Sequence, residues 1–220
     1  MTEPGFLRDT RASYDTMATG YAERFGDELA AKPVERAMLA GFAELVRAAD
    51  LGPVADIGCG TGRVTAHLSG LEVPVFGVDL SPGMVEVARR THPDLRFEVG
   101  SMLDLDLPDG SLSGLIAWYS IIHIPEERLP EVFAEFRRVL APGGHLLLAF
   151  QVGEEPLHLA EAFGNAVSLD FHRRQPDHVA ELLGQAGLTL RARLRRERDE
   201  DGEFPERTPQ AFVLARKPVK

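Results

Sequence analysis

The sequence has few of the features that mark membrane-spanning, disulfide-rich or metal-binding proteins. Its 220 residues contain one cysteine, Cys59, which excludes an intrachain disulfide and a cysteine-based zinc cluster. No apolar run approaches the ~20 residues that cross a bilayer, and no basic patch followed by an apolar segment opens the chain. We therefore expect a soluble, cytoplasmic protein that binds no metal and has no membrane partner.

Basic side chains are also scarce relative to acidic ones. Lys and Arg number 24 against 34 Asp and Glu, giving a net charge of -10. Nonspecific binding of nucleic acid relies on basic surface, so we expect no nucleic-acid partner. The composition is ordinary for a globular protein, with 44% hydrophobic and 26% charged residues, and the length suits one sizeable domain. Whether the chain is a monomer or a homodimer stays open.

The order of apolar patterns predicts an α/β fold. Apolar residues at helical spacing predict two lead-in helices at 9–25 and 34–49. Continuous apolar runs, which are typical of strands buried on both faces of a parallel sheet, then alternate with helical segments. The predicted strands are 54–57, 75–78, 95–99, 115–119 and 145–150, and the predicted helices are 64–69, 82–90, 126–140 and 176–186. This alternation indicates βαβ crossovers and a doubly wound sheet.

The C-terminal segment has a different pattern, because apolar and polar residues alternate strictly over 188–195. We expect Leu188, Leu190, Ala192 and Leu194 to face inward from a strand with one solvated face. A last strand is predicted at 211–215, after a charged turn. The sheet is therefore expected to end in an antiparallel hairpin.

A glycine-rich loop, Asp56-Ile-Gly58-Cys59-Gly60-Thr-Gly62, follows the first predicted strand and precedes a helix. Glycines in that place permit a tight turn and let a ligand approach the backbone. They occupy positions 1, 3 and 5, whereas a dinucleotide site has them at positions 1, 3 and 6, where Arg63 stands here. The Walker pattern is also absent from this loop, since no Gly-Lys-Ser/Thr follows.

An acidic residue, Asp79, stands at the tip of the second predicted strand, 21 residues after Gly58. A carboxylate there accepts hydrogen bonds from both hydroxyls of a ribose. Ser81-Pro82 then starts a helix, with Ser81 as N-cap and Pro82 at the first position. The loop and Asp79 together predict a nucleoside-containing ligand.

Four stretches of the sequence resemble the motifs of a known family, and they occur in the same order as in that family. They are VADIGCGTGRVT (54–65), GVDLSPGMVEVAR (77–89), RFEVGSMLDLDLPDGSLSGLIAWYSIIHI (96–124) and RRVLAPGGHLLLAF (137–150). They resemble the class I S-adenosylmethionine-dependent methyltransferases, and within them the small-molecule group of type 11 and type 25 domains. The resemblance implies a Rossmann-like seven-stranded sheet of order 3-2-1-4-5-7-6, mostly parallel, with lid helices at the N-terminus.

The resemblance also implies one domain over residues 1–220, with a role for each part. Residues 1–50 would be a helical lead-in or lid, 51–150 the cofactor-binding core, and 151–220 a substrate-side segment with the hairpin. The implied cofactor is S-adenosylmethionine (SAM), and the product is S-adenosylhomocysteine (SAH). The implied cofactor-binding residues are Tyr14, Asp56, Gly58, Cys59, Gly60, Gly62, Asp79, Leu80, Met84, Ser101, Met102, Trp118 and Tyr119.

Within that set the adenine contact departs from the family, which commonly has Asp where Ser101 stands. A serine accepts the same hydrogen bond without a charge, and Asp104 is a second candidate acceptor. Tyr14, on the lead-in helix, is expected either to reach the methionine carboxylate or to pack at a helix interface. Trp118 and Tyr119 are expected at the mouth of the pocket rather than only in the core.

Methyl transfer requires two reactants held in line, and an oxygen or nitrogen acceptor also has to lose a proton. His123, on the loop beyond the fourth strand, is the candidate base or substrate contact, because an unperturbed imidazole titrates near pH ~6.5. The alternative for His123 is a local role, such as capping the helix at Glu126. We therefore expect the reaction to take place at the strand tips. Methyl transfer requires no particular catalytic residue, so the sequence cannot identify one by its type alone.

The functional prediction is an enzyme that transfers a methyl group from SAM to an oxygen, nitrogen or carbon nucleophile of a small molecule. A non-catalytic SAM-binding protein stays an alternative. A nicotinamide-dependent oxidoreductase is disfavoured by Arg63 and by the terminal hairpin. An RNA or protein methyltransferase is disfavoured by the acidic charge. Trp118-Tyr119-Ser120 also replaces the Asn/Asp-Pro-Pro-Tyr/Phe element of base-amino methylation.

Overall fold

The computed structural model describes residues 4–219, and a seven-stranded sheet lies at its centre. The strands along the chain are β1 (Val54–Ile57), β2 (Val75–Asp79), β3 (Phe97–Val99), β4 (Leu112–Trp118), β5 (Leu140–Gln151), β6 (Leu157–Ala162), β7 (Asn165–Phe171), β8 (Thr189–Arg196) and β9 (Gln210–Arg216). The helices are α1 (Gly5–Phe25), α2 (Pro33–Ala49), α3 (Arg63–Gly70), α4 (Pro82–Thr91), α5 (Leu129–Val139) and α6 (Pro176–Gln185). Short 3-10 turns lie at Glu28–Ala31, Ile121–His123 and Glu126–Arg128.

The main sheet has the order β3-β2-β1-β4-β5-β9-β8, and β6 pairs with β7 in a separate antiparallel hairpin. The strands from β3 to β5 pair in parallel, whereas β9 and β8 are antiparallel. Counted in chain order within this sheet, the order is 3-2-1-4-5-7-6, so the predicted fold is confirmed. The strand order changes direction between β1 and β4, and ligands of open α/β sheets bind outside the carboxyl ends of the strands at such a point.

Two apolar layers, one on each face of the sheet, form most of the core. One packs the sheet against α5 and α6, and the other packs it against α2 and α3. Every residue of β4 is buried, which agrees with its continuous apolar sequence. The largest fully buried side chains include Phe42, Phe133, Phe136, Phe150 and Phe212. Within residues 4–219, no helix is long and apolar enough to cross a membrane.

Two local predictions are wrong. The helix predicted over 126–140 is instead a 3-10 turn followed by α5, which begins at Leu129 with a proline in its first turn. The predicted alternation in β8 fails at Leu190 and Ala192. The pairing with β9 slips between these two residues, and Leu190 remains 40% exposed. A register slip of this kind moves the following side chains to the other face of a strand, and Arg196 turns inward as a result.

The β6–β7 hairpin was not predicted, although its sequence contains a signal for it. Leu157 and Leu159 alternate with exposed residues, as do Leu169 and Phe171 on the returning strand. The two-residue connection is Phe163-Gly164, and both residues have positive φ, 50° and 74°. Positive φ at both positions is the requirement of the type I′ turns that join adjacent antiparallel strands. The hairpin packs on α1 through β7.

Candidate active site

The loop after β1 approaches the loop after β4 at the point where the strand order changes direction. The Ser120 hydroxyl donates to the Ile57 carbonyl oxygen at 2.6 Å. Gly58 has φ +75°, and a Cβ placed there would lie 2.2 Å from the Ser120 Cβ. Glycine is therefore required at position 58 by the neighbouring loop, independently of any ligand.

The other two predicted glycines have different surroundings. Gly60 has φ +54°, and a Cβ placed there would meet no heavy atom of the described residues within 4 Å. It lines a cavity at the strand tips, which we call the first cavity. Gly62 begins α3, and a Cβ there would lie 2.7 Å from the Phe97 ring. Among the described residues that line the first cavity, Gly62 is not included. Glycine at position 62 therefore gives room to the Phe97 ring.

Asp79 ends β2 and lines the first cavity. Its carboxylate accepts hydrogen bonds from the Gly60 amide at 2.7 Å and from the Ser81 amide at 2.9 Å. Burial raises the pKa of Asp79 to about 6, and these backbone donors oppose that rise. A carboxylate has about four acceptor positions, so this one retains capacity for two further donors. Vicinal hydroxyls of a ribose would meet that need.

Asp56, at the third position of β1, also faces the first cavity. The Thr65 hydroxyl donates to its Oδ2 at 2.7 Å, while Oδ1 is buried and has no hydrogen-bond partner among residues 4–219. Burial raises the pKa of Asp56 to about 7. A buried acceptor without a partner is costly, so Asp56 is suited to receive a donor from a bound ligand.

Helix α1 lies over the first cavity and is held on two sides. Towards α4, Asp15 Oδ1 accepts from the Ser81 hydroxyl at 2.6 Å and from the Gly83 amide at 2.8 Å. Towards β7, the Ser13 hydroxyl accepts from the Ser168 amide at 2.9 Å. Its side chains Leu7, Thr10, Arg11, Tyr14 and Tyr21 line the cavity, and the predicted lid role stays a prediction.

Tyr14 and His123 form a hydrogen-bonded pair beneath this helix. His123 Nδ1 lies 2.9 Å from the Asp170 carbonyl oxygen, which only accepts, so Nδ1 carries the proton. His123 Nε2 is then the acceptor, and the Tyr14 hydroxyl donates to it at 2.7 Å. Burial lowers the pKa of His123 to about 4, and burial also raises the pKa of Tyr14. Both groups are therefore neutral at pH 7, and His123 is a weaker base than the unperturbed imidazole that the sequence suggested.

The structure brings nearly all the predicted site residues to the first cavity. Besides those already described, its walls include Cys59, Leu80, Met84, Ser101, Met102, Trp118 and Tyr119. Trp118 serves the core as well, since its ring packs against Phe212 with centroids 5.4 Å apart. Burial raises the pKa of Cys59, which keeps its thiol protonated. Asp104 is exposed and lies outside this wall, so it is not the second adenine acceptor that the sequence suggested.

Sequence reasoning missed one wall residue that has a clear role. Arg63 was noted only as a mismatch to the dinucleotide pattern. In the structure it lines the first cavity, forms an ion pair with Glu28 and donates to the Phe25 carbonyl oxygen at 3.1 Å. It thus fastens the end of the glycine loop to the turn after α1. No sequence signal specified the partner, because the contact spans 35 residues.

A second cavity, of about 530 Å³, adjoins the first one. The two share four wall residues, which are Tyr14, Tyr21, Arg63 and Tyr119. Apolar side chains from α1, the β6–β7 hairpin and the segment before β9 form much of the remaining wall, among them Met17, Phe25, Leu157, Leu159, Phe171 and Phe204. A volume of this size is typical of sites for small organic molecules.

Four charged residues of the second cavity, Glu28, Glu35, Arg63 and Glu206, form ion pairs within the described part of the protein. Glu35 is buried and accepts from the Tyr119 hydroxyl at 3.2 Å and from Arg196 at 3.0 Å. Burial raises the pKa of Glu35, the nearby Glu28 adds to the rise, and Arg196 opposes it. Glu206 forms ion pairs with Arg196 at 2.6 Å and with Lys32 at 3.0 Å. These pairs connect the 197–209 segment to α2 across one end of the cavity.

The curated relatives of this chain carry methyltransferase names. Residues 54–144 match the family described as a methyltransferase domain. The O-methyltransferase cnsE of Penicillium expansum is 36% identical over 145 residues, which are 62% of this chain and 52% of that protein. A demethylmenaquinone methyltransferase of Symbiobacterium thermophilum is 33% identical over 103 residues, which are 43% of this chain and 40% of that protein.

Among solved structures, the DhpI–SAH complex matches all of both chains with a TM-score of 0.75 and 21% identity, which shows a shared fold. The domain match and the similar proteins support a class I S-adenosylmethionine-dependent methyltransferase. The family prediction is therefore confirmed, and the nicotinamide alternative has no support. The methyltransferase chain spans about half the length of the curated relatives it matches.

Proposed function

We propose that this protein transfers a methyl group from SAM to an oxygen atom of a small, largely apolar molecule. One observation carries the proposal: the cavity lined by Asp56, Gly60 and Asp79 adjoins a second, mostly apolar cavity. Both walls include Tyr14, Tyr21, Arg63 and Tyr119. Two reactants bound in adjoining cavities are held at the short separation that a displacement requires. The O-methyltransferase name of the similar Penicillium protein supports the choice of oxygen.

The residues of the first cavity fit the cofactor. Gly60 leaves open space where a side chain would stand, Asp79 has unused acceptor positions, and Asp56 Oδ1 has no partner among the described residues. We assign Asp79 to the ribose hydroxyls, Asp56 and Gly60 to the methionine part, and Ser101 and Met102 to the adenine. When bound, SAM supplies a methyl group that carries electrophilic character because it is attached to a sulfonium.

The Tyr14–His123 pair supports a hydroxyl acceptor. A hydroxyl that reaches the shared wall would hydrogen-bond to the Tyr14 oxygen. As the acceptor oxygen forms its bond to the methyl carbon and the carbon–sulfur bond breaks, the hydroxyl proton becomes strongly acidic. It would pass to Tyr14 while the Tyr14 proton passes to His123 Nε2. Because the proton is released late, a buried imidazole whose pKa is lowered to about 4 is basic enough.

Calorimetry with SAM, SAH and NADH tests the proposed cofactor. We expect SAM and SAH to bind the wild-type protein, and the Asp79→Asn variant to lose at least about tenfold in affinity, which corresponds to about 1.4 kcal/mol. Asp104→Asn is the matched control, since Asp104 is exposed and lies outside the first cavity, and it should bind like wild type. Binding of NADH without SAM, or equal losses in the two variants, would contradict the proposal.

Methyl transfer itself is tested with SAM labelled in the methyl group and a panel of phenols, with mass spectrometry of the products. We expect a labelled methyl ether and an equal amount of SAH. Labelled product with the methyl on a ring carbon would overturn the choice of oxygen. SAM binding without transfer to any acceptor would favour the non-catalytic alternative.

A further inference from the structure

The end of the second cavity farthest along β5 contains two buried polar atoms without partners. Gln210 is only 4% exposed, and its Nε2 donates to the Thr208 carbonyl oxygen at 2.7 Å, which fixes the orientation of the amide. Gln210 Oε1 then remains a buried acceptor that no described residue satisfies. The Nε of Arg173 is likewise a buried donor with no partner within residues 4–219. Both side chains line the second cavity.

These two side chains converge on the end of β5 from opposite sides. Gln210 stands directly opposite Gln151 in the antiparallel pairing of β5 with β9. On the other side, the Arg174 amide donates to the Gln151 carbonyl oxygen at 3.0 Å, which places the preceding Arg173 against the same strand end. A Cβ on Gly153 would lie 2.9 Å from Arg173 Cδ, so glycine gives the arginine side chain its room.

Buried polar atoms normally have partners, and an unpaired one costs about 1–3 kcal/mol. Here an unpaired donor and an unpaired acceptor both lie in the wall of one cavity, beside the end of β5. The other buried charges of that cavity already pair with each other, such as Arg63 with Glu28 and Glu35 with Arg196. A ligand that satisfies both atoms must therefore present both an acceptor and a donor to this part of the wall.

We propose that the second cavity binds a flat hydroxyaromatic acid as the methyl acceptor, and this rests on the function proposed above. The carboxylate accepts from Arg173, and a hydroxyl on the neighbouring ring carbon donates to Gln210 Oε1. The ring system lies between the apolar walls that include Phe25, Phe171 and Phe204. A second hydroxyl, at the far end of the molecule, reaches the shared wall at Tyr14.

Charge and geometry favour a carboxylate over other anions. A guanidinium donates in a planar fork that matches the two oxygens of a carboxylate. A phosphate ester would also satisfy Arg173, but its ionised oxygens only accept and would face the Gln210 oxygen. A hydroxyl beside a carboxylate supplies the donor that Gln210 lacks and keeps the pair in the plane of the ring.

The test measures binding of two matched probes by calorimetry in the presence of saturating SAH. One probe is a dihydroxynaphthoate with one hydroxyl beside the carboxylate and the other on the second ring. The other probe is the dihydroxynaphthalene that lacks only the carboxylate. We expect the naphthoate to bind at least about tenfold more tightly. Equal affinities, or no binding of the naphthoate to the SAH-bound protein, would overturn the proposal.

Variants assign the preference to the two side chains. Arg173→Met should bring the naphthoate to the affinity of the naphthalene, and Gln210→Leu should weaken the naphthoate by about tenfold or more. Arg207→Met is the matched control, because Arg207 also lines the cavity but is exposed, and it should preserve the preference. If Arg207→Met removes the preference and Arg173→Met does not, the assignment is wrong.

SAH binding distinguishes failure of this inference from failure of the proposed function. Arg173 and Gln210 lie outside the wall of the first cavity as the described residues form it, so both variants should bind SAH like wild type, which also shows that they fold. If SAH binds and the naphthoate does not, only the acceptor assignment fails. If SAH does not bind the wild-type protein, the proposed function fails first.

Discussion

Gly60→Ala should show whether glycine at position 60 is required for ligand binding or for folding. Position 60 has φ +54°, which an alanine adopts at a cost of about 1–2 kcal/mol, and the lower entropy of the unfolded chain offsets about 0.4–1 kcal/mol of that. The added Cβ meets nothing within 4 Å among the described residues, so no steric cost is added. The expected loss of stability is therefore about 1 kcal/mol.

Gly58→Ala is the matched comparison, because it makes the same change two residues earlier in the same loop. Its Cβ would lie 2.2 Å from the Ser120 Cβ, so the loops after β1 and β4 must separate. Overpacking of this kind costs about 1–3 kcal/mol or more, in addition to the cost of positive φ. For a chain of this length each kcal/mol lowers Tm by about 2–4 °C, so Gly58→Ala should melt well below Gly60→Ala.

Thermal unfolding and SAH calorimetry decide between the two roles. We expect Gly60→Ala to fold and to lose at least about tenfold in affinity for SAH, because its methyl group occupies cavity space that the ligand needs. A Gly60→Ala protein that binds SAH like wild type would refute the placement of the ligand against this loop. Equal Tm losses in the two variants would refute the contact argument for Gly58.

Three further predictions follow from the same contacts. Asp15→Ala should lower the free energy of unfolding in urea by about 0.5–2 kcal/mol, because it removes the hydrogen-bond acceptor at the start of α4. Asp9→Ala, on the exposed face of α1, is the control and should leave the stability unchanged. SAM affinity measured by calorimetry should begin to fall near pH 7 and fall further below about 6. Protonation of Asp56, whose pKa is raised to about 7, and of Asp79, whose pKa is raised to about 6, removes acceptors for the ligand, and a flat profile contradicts these roles. Tyr14→Phe and His123→Ala should each lower kcat, while their affinity for SAH changes little. Because the two residues act as one pair, the double variant should lower kcat no more than the more severe single variant does. If kcat for an active acceptor is unchanged, the pair is structural.

The main sheet was predictable because its signals are local and agree with one another. Apolar runs such as Val54–Ile57 are buried on both faces, the following glycines turn the chain, and Ser81-Pro82 begins α4 where helix-start chemistry predicts it. Ser81 indeed accepts from the Met84 amide at 3.0 Å. Each of these features depends on neighbours a few residues away in sequence, so periodicity and capping rules suffice for them.

The second cavity was not predictable in the same way, because its walls come from distant parts of the chain. The Lys32–Asp199 ion pair spans 167 residues, and the Ser13–Ser168 hydrogen bonds span 155. The β8 error has a related cause: the pairing with β9 slips between Leu190 and Ala192, and after the slip Arg196 lies against Glu35 of α2. Sequence alternation describes a regular strand and contains no information on where its pairing shifts.

Helix α1 contributes side chains to both the first and the second cavity. Asp15 holds it to α4, beside the first cavity, and Ser13 holds it to β7, beside the second. Tyr14, between these two anchors, belongs to both walls and donates to His123. Because His123 is itself fixed by the Asp170 carbonyl of β7, the position of the Tyr14 hydroxyl depends on the hairpin as much as on the cofactor side. If both reactants bind as proposed, one turn of this helix would contact the cofactor side and the acceptor side of the Tyr14–His123 pair together, which is the alignment that a displacement requires.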